Sequence, residues 1–160
     1  VTWAPLRPAI GGTATVLLAL MFGRDYLGLS LPLADSALAG ITSHWWDSVL
    51  KLVFTVVALS SSIPGGEVTP LFVIGATLGS ALSVPLGLPA TLTSAATYAA
   101  VFGAASNTPI ACAILTSELF GASALAPAAI VGILAYSVSP RRGIYEGQRI
   151  GSTKDLRASA

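Results

Sequence analysis

The sequence predicts an all-helical domain embedded in a membrane, with tilted and broken helices. Hydrophobic residues make up 54% of the chain and charged residues only 9%, whereas a soluble domain carries about 25% charged residues. Between Lys51 and Arg141 the only charged residues are Glu67 and Glu118. A soluble helical bundle, which is the alternative, would need charged outer faces that this stretch does not provide.

Six apolar segments are expected to form the helices. They are rich in Ala and Leu and lack the alternation of period two that indicates strands. A simple membrane span needs about 20 apolar residues, and most of these segments are shorter, with Gly or Pro between many of them. Such short, interrupted segments are typical of transporters with broken helices. The segments are residues 10–22, 48–63, 70–87, 92–106, 109–120 and 122–138.

The first segment, residues 10–22, is too short for an ordinary span and its flanks do not resemble a signal peptide. We expect the chain to be a piece of a longer protein. The stretch that follows it is more polar and aromatic. Trp45 and Trp46 come just before the next long apolar segment, where aromatic residues often anchor a helix at the membrane interface. His44 beside them is expected to be interfacial rather than a ligand.

Residues 64–79 are the most informative stretch, because they open a helix inside an apolar region. We expect Gly65 and Gly66 to let the backbone turn without Cβ clashes, and Pro70 to lie in the first helical turn. A helix start leaves unpaired N–H groups, which attract anions. In hydrocarbon such an end must be buried in protein or line a polar cavity. The sequence therefore predicts that this helix start faces the path of a small anion.

Three polar side chains lie in the apolar region, and two of them, Glu67 and Thr69, have alternative interpretations. Glu67 either caps the helix that follows it or, facing an anion, becomes protonated and takes part in proton coupling. Thr69 either offers its hydroxyl to the anion or satisfies its own backbone. Glu118 is expected at the C-terminal end of a helix, paired with a structural partner, and is not expected to carry protons.

The chain shows no pattern typical of an enzyme, a metal site or a cofactor site. An intramembrane serine protease, the enzymatic alternative, needs a serine and a histidine within hydrogen-bond reach. His44 is the sole histidine and lies in the interfacial stretch, and Gly79-Ser80 is a common helix-packing pair. Cys112 is expected to be an inert buried thiol. We find no metal-ligand spacing and no phosphate loop, and the net charge of +1 argues against a nucleic-acid partner.

The C-terminal tail is expected to lie in the cytoplasm, because basic residues outnumber acidic ones there. Tyr145, in Gly-Ile-Tyr-Glu-Gly, starts a short segment that could fold back under the membrane domain. The basic residues are Arg141, Arg142, Arg149, Lys154 and Arg157, against Glu146 and Asp155.

The order of these motifs resembles the second half of the CLC family of chloride channels and proton-coupled anion antiporters. A long apolar helix is followed by Ser-Ser-Ile-Pro-Gly-Gly-x-x-x-Pro, then by Asn107-Thr108-Pro109 with Glu118 nine residues beyond the proline, and finally by Gly-Ile-Tyr. The similarity covers roughly residues 48–150. We therefore expect residues 1–160 to be the C-terminal half of a CLC-type transmembrane domain, with 151–160 as a cytoplasmic tail.

The resemblance also implies roles for particular residues. In the CLC family the helix after Gly-Gly-x-x-x-Pro directs backbone amides at the central anion site, and those amides match Glu67 and Val68. The family's late tyrosine donates its hydroxyl to the same ion and matches Tyr145. The helices near Pro109–Leu119 and Ser123–Val138 resemble the pair that forms the family's homodimer interface. The gating glutamate lies in the first half of the inverted repeat, upstream of this chain.

Departures from the common pattern resemble the bacterial fluoride-exporting branch, which exchanges fluoride for protons. Chloride-handling members usually read Gly-Gly-Ile-Phe-Ala-Pro, whereas this chain reads Gly-Gly-Glu-Val-Thr-Pro, and Asn107-Thr108 replaces a frequent Arg-Ala. Val68 in place of Phe would open local space. The resemblance implies fluoride/proton antiport in a bacterial inner membrane. A chloride channel or antiporter of the same family, and a non-conducting fragment or membrane subunit, stay open as alternatives.

Overall fold

The computed structural model describes residues 6–61, 65–139 and 143–145, and within those ranges it contains helices and loops but no strand. The expected all-helical fold is confirmed. The segment 151–160 lies outside the described ranges, and so do all the basic residues of the C-terminal tail, from Arg141 to Arg157. The α-helices of the described ranges are α1 Leu6–Phe22, α2 Leu31–Leu38, α3 Trp45–Ser60, α4 Val68–Leu86, α5 Ala90–Ser106, α6 Pro109–Phe120 and α7 Leu125–Val138, with a 3-10 turn, Ala122–Ala124, before α7.

All of the apolar segments became helices, and one helix, α2, was not predicted. It has only eight residues, so its sequence alone gives a weak helical signal. Packing accounts for it, because Ala34 and Ala37 of α2 form a buried cluster with Val73 and Ala76 of α4. The helix α3 also starts earlier than expected, at Trp45, so the two tryptophans lie in its first turn.

The helices α4 and α5 form a close antiparallel pair. A Cβ added to Gly75 of α4 would lie 2.6 Å from the carbonyl oxygen of Thr97 in α5, so no side chain fits there. Gly79, one turn later, meets the backbone of Thr93 in the same way. The side chain of Thr97 donates a hydrogen bond of 2.7 Å to the carbonyl oxygen of Gly75. Small residues therefore fix the register between the two helices.

The helix α5 also packs against α6 and α7. A second buried cluster joins Ala99 of α5, Cys112 and Ala113 of α6, and Ala128 of α7. Cys112 is buried, as expected. Asn107 adopts a left-handed conformation, with φ of 58°, and this ends α5 and turns the chain into α6.

The helix lengths fit the expectation of short segments. Within the described ranges α4 is the one helix long and apolar enough to cross a membrane by itself, and half of it is buried inside the protein. The helices α1 and α6, and the stretch Ala122–Val138, are apolar but shorter. Many large apolar side chains, including Val138 of α7 and Met21 of α1, point outward from the described structure.

Candidate functional site

The start of α4 is formed by the residues that the sequence singled out. Glu67 is the N-cap residue, with φ of −83° and ψ of −24°, and no side chain of the described residues caps this helix start. Glu67, Val68 and Thr69 are half-buried and Pro70 is buried. Because Pro70 is the third residue of α4, its missing N–H falls in the first turn, where amides have no helical partner. The first-turn amides are thus available to a ligand rather than to a capping side chain.

The expected reason for the glycine at position 66 is wrong. A Cβ added to Gly66 would meet no atom within 4 Å, and the backbone there does not adopt the left-handed conformation. Neither a clash nor the backbone angle therefore requires a glycine at this position. Gly66 instead borders an open space, and a side chain at this residue would project into it.

That space is a cavity of about 200 Å³, which we name the Lys51 cavity. Its wall is formed by the middle of α1, the loop after α1, the buried face of α3 and the start of α4. The residues lining it are Thr15, Tyr26, Leu27, Gly28, Leu29, Lys51, Phe54, Thr55, Ala58, Leu59, Gly65, Gly66 and Pro70.

Lys51 is the site residue that sequence reasoning missed. Its side chain is only 2% exposed. The ammonium donates hydrogen bonds to the carbonyl oxygens of Tyr26 at 3.2 Å and Gly28 at 2.6 Å, and to Oγ of Ser30 at 2.8 Å. A lone lysine flanked by leucines in an apolar helix was the available signal, since ionisable residues inside a membrane are rare and usually functional.

Asp47, one turn before Lys51 on α3, is also buried. One carboxylate oxygen accepts a hydrogen bond of 2.7 Å from the Tyr26 hydroxyl, and the other accepts one of 2.8 Å from the backbone N–H of His44. Burial of Tyr26, together with this hydrogen bond and the charge of Asp47, raises the pKa of the Tyr26 hydroxyl. Tyr26 therefore stays protonated and remains a donor. The His44 ring stacks on Trp46, with the ring centroids 4.4 Å apart.

Tyr145 lies at the same end of the α4–α5 pair as the start of α4. The backbone N–H of Ile144 donates a hydrogen bond of 2.9 Å to the carbonyl oxygen of Ala105 near the end of α5. The helices α4 and α5 run antiparallel, with Gly75 facing Thr97. Val68, two turns before Gly75, therefore lies level with the end of α5 near Ala105. The Tyr145 side chain is 48% exposed and is not among the residues lining the Lys51 cavity.

The structure thus brings the Gly65–Pro70 stretch together with a buried cation, and leaves Tyr145 on a neighbouring surface. Glu118 is the third residue from the end of α6, as expected, but it is exposed, and the expected structural partner is not found among the described residues. Within the same ranges, His, Cys, Asp and Glu side chains form no group of three that could hold a metal ion.

Comparisons with known proteins agree on one family. The family model described as voltage gated chloride channel matches residues 1–140. A chloride/fluoride channel protein of Pseudomonas syringae pv. tomato is 41% identical over 164 residues, which cover 98% of this chain and 36% of that protein. The crystal structure of a CLC-type fluoride/proton antiporter superposes with a TM-score of 0.84 at 40% identity, covering 90% of this chain and 37% of that one. The chain thus spans little more than a third of either relative.

Proposed function

Because the chain belongs to the voltage-gated chloride channel family and has its integral-membrane helical fold, we propose that it is the C-terminal half of a transporter of small anions. Its substrate in this proposal is fluoride, exported in exchange for protons. Residues 48–150 hold the family's motifs and residues 151–160 form a cytoplasmic tail. The gating glutamate and the remaining anion ligands lie in the upstream half.

The observation that most supports anion binding is the uncapped start of α4. Its first-turn amides have no capping side chain among the described residues, and Gly65, Gly66 and Pro70 line the Lys51 cavity beside them. A helix start carries about half a positive charge, and an anion satisfies both the charge and the unpaired N–H groups. We place the anion at the amides of Glu67, Val68 and Thr69, next to Gly65 and Gly66.

Hydroxyl donors favour fluoride over chloride in this proposal. Fluoride is the smaller and more strongly hydrated ion, so replacing its water requires good hydrogen-bond donors. Thr69 offers one hydroxyl in the first turn of α4, and Tyr145, near the end of α5, offers another. The relatives add support, since the names of both include fluoride.

Glu67 is the residue that we propose to link the anion to protons. As N-cap residue it is next to the proposed anion site, yet its side chain makes no capping hydrogen bond. Simple capping therefore does not account for the carboxylate. A carboxyl group beside the anion site can take up and release a proton in the same space, which is what proton-coupled exchange needs.

We propose that two copies of the full-length protein pair through α6 and α7 in a bacterial inner membrane, with the C-terminus in the cytoplasm. Large apolar side chains on both helices support this interface. Ile110 and Ile114 of α6 are 67% and 49% exposed, and Ile130 and Leu134 of α7 are 61% and 62% exposed. In a membrane such a surface faces either lipid or a second copy, and the resemblance of these two helices to the family's interface pair favours the second copy.

Flux from liposomes tests the assignment. Vesicles containing the full-length protein should release fluoride far faster than chloride, and protons should move in the opposite direction at the same time. Faster chloride release would favour the alternative, a chloride channel or chloride/proton antiporter. Release of neither anion would favour a non-conducting membrane subunit.

A further inference from the structure

The strongest unassigned feature is the charge of Lys51. All its hydrogen bonds go to neutral oxygens, those of Tyr26, Gly28 and Ser30, which satisfy its three donors but do not cancel its charge. Among the described residues no carboxylate approaches the ammonium within ion-pair distance. A buried charge of this kind is unfavourable unless an opposite charge compensates it.

The carboxylate one turn earlier on α3, Asp47, makes no direct contact with the ammonium and does not line the Lys51 cavity. Both oxygens of Asp47 are engaged, one by the hydroxyl of Tyr26 and the other by the backbone N–H of His44. Tyr26 bridges the two ionic groups, with its hydroxyl on Asp47 and its carbonyl oxygen on Lys51. The carboxylate and the ammonium are thus each bonded to a different part of Tyr26 and not to each other.

The Lys51 cavity connects this charge to the start of α4. Lys51 lines one part of the wall, and Gly65, Gly66 and Pro70 line another. Thr15 and Thr55 add hydroxyl groups to the wall, and none of the described lining residues is acidic. Two sources of positive potential, an ammonium and a helix start, therefore border the same cavity.

We propose that Lys51 is a positioning residue for anion transport, whose buried positive charge attracts a small monovalent anion into the Lys51 cavity and toward the start of α4. The inference rests on the proposed function. Lys51 acts through its charge and not as a ligand, because neutral oxygens already occupy its three donors. In a low-dielectric interior such a charge acts over a longer distance than it would in water. The anion in turn supplies a negative charge on the cavity side of the ammonium.

If Lys51 only held the loop after α1 through its hydrogen bonds, losing one of these bonds would matter as much as losing the charge. The test therefore separates charge from hydrogen bonding in the full-length protein. Lys51→Gln keeps an amide donor and loses the charge, Lys51→Arg keeps the charge, and Ser30→Gly removes one acceptor while leaving the ammonium. Ser30 has φ of 54°, so glycine suits its backbone. The readouts are the half-saturating fluoride concentration and the maximum rate of release from liposomes.

We expect Lys51→Gln to raise the half-saturating concentration about tenfold with little change in maximum rate, since a uniform loss of binding changes KM and not the rate at saturation. Ser30→Gly should stay within about twofold of the wild type, because the ammonium keeps its charge. Lys51→Arg keeps the charge on a larger group of different shape, so its half-saturating concentration should lie closer to that of the wild type than that of Lys51→Gln does. An unchanged half-saturating concentration in Lys51→Gln, or an equal rise in Ser30→Gly, would overturn the inference.

A second pair of variants tests the charge without touching Lys51 or its bonds. Ala58 lines the same cavity. Ala58→Asp places a negative charge in the wall and should raise the half-saturating concentration, whereas Ala58→Asn, its neutral match, should not. Equal effects of the two would contradict a role for charge. A wild type that releases chloride but not fluoride would contradict the fluoride assignment, and the same measurements made with chloride would then still test Lys51. A wild type that moves neither anion would overturn both the proposed function and the role of Lys51.

Discussion

The hydroxyl of Thr97 on α5 donates a hydrogen bond of 2.7 Å to the carbonyl oxygen of Gly75 on α4. This bond crosses a close helix contact, where a side chain on Gly75 would meet the backbone of Thr97. The register that it fixes also determines where α4 begins relative to the end of α5. The geometry of the proposed anion site therefore depends on a contact two turns away from it.

Gly75→Ala should destabilise the full-length protein. The new Cβ would lie 2.6 Å from the Thr97 carbonyl oxygen and 2.9 Å from Cα of Tyr98, so the helices must separate. Overpacking of this kind costs about 1–3 kcal/mol. Thermal unfolding in detergent measures the effect. Gly12→Ala on α1 is the matched control, because its Cβ would meet no atom within 4 Å. Equal melting temperatures for the two variants would contradict the close contact.

Ser80→Ala should also lower stability, by releasing the loop before α3. The Ser80 hydroxyl donates to the carbonyl oxygen of Ile41 and accepts from the backbone N–H of Ser43, both at 2.9 Å. Leaving such partners unsatisfied costs about 1–3 kcal/mol. Ser83→Ala removes a hydroxyl that bonds only within its own helix, to Ser80, and should be nearly neutral. A milder effect at Ser80 than at Ser83 would refute this role.

The helices could largely be predicted from the sequence, because an apolar run of this length has few alternatives to a buried or membrane-embedded helix. The segment 109–120 matches α6 in both of its bounds. The helix α2 could not be predicted, because its stability comes from contacts between Ala34 or Ala37 and α4, far away in the sequence. The same limit applies to the tilt and register of α4 and α5.

The candidate site was predicted in part. The start of α4 follows from local sequence, since a Gly-Gly-x-x-x-Pro element before an apolar run is a helix-start signal. The surroundings of Lys51 could not be predicted in this way, because its partners Gly28 and Ser30 lie in a loop more than 20 residues earlier. Side-chain hydrogen bonds between distant residues leave no periodic pattern in a sequence.

Thr69→Ala should weaken fluoride transport more than chloride transport. The variant removes a hydroxyl donor from the first turn of α4, and the strongly hydrated fluoride depends more on such donors. Thr69→Ser, which keeps the hydroxyl, should retain selectivity. The ratio of fluoride to chloride release from liposomes is the measurement. An equal loss for both ions in Thr69→Ala would show that the hydroxyl does not discriminate between them.

Tyr145→Phe keeps the ring and removes the second hydroxyl. If this hydroxyl contacts the ion, the ratio of fluoride to chloride release should fall as it does in Thr69→Ala. The half-exposed position of Tyr145 beside the end of α5 leaves the side chain room to reach a neighbouring site. An unchanged ratio would remove Tyr145 from the proposed set of ligands.

Glu67→Gln should reduce proton movement while leaving fluoride release in place, because the amide cannot take up a proton. Glu118→Gln is its control, since Glu118 is exposed near the end of α6 and is not expected to carry protons. The pH change outside the vesicles, measured together with fluoride release, gives the coupling ratio. If the ratio is the same in Glu67→Gln and the wild type, Glu67 has no part in coupling.

The backbone amides at the start of α4 can be observed directly by nuclear magnetic resonance of the full-length protein labelled with ¹⁵N-valine. Our account predicts that the Val68 amide resonance shifts saturably as fluoride is added. The Val84 amide, in the same helix but near its other end, should not move. A Val68 amide that stays unchanged at fluoride concentrations that saturate transport would contradict anion binding at this helix start.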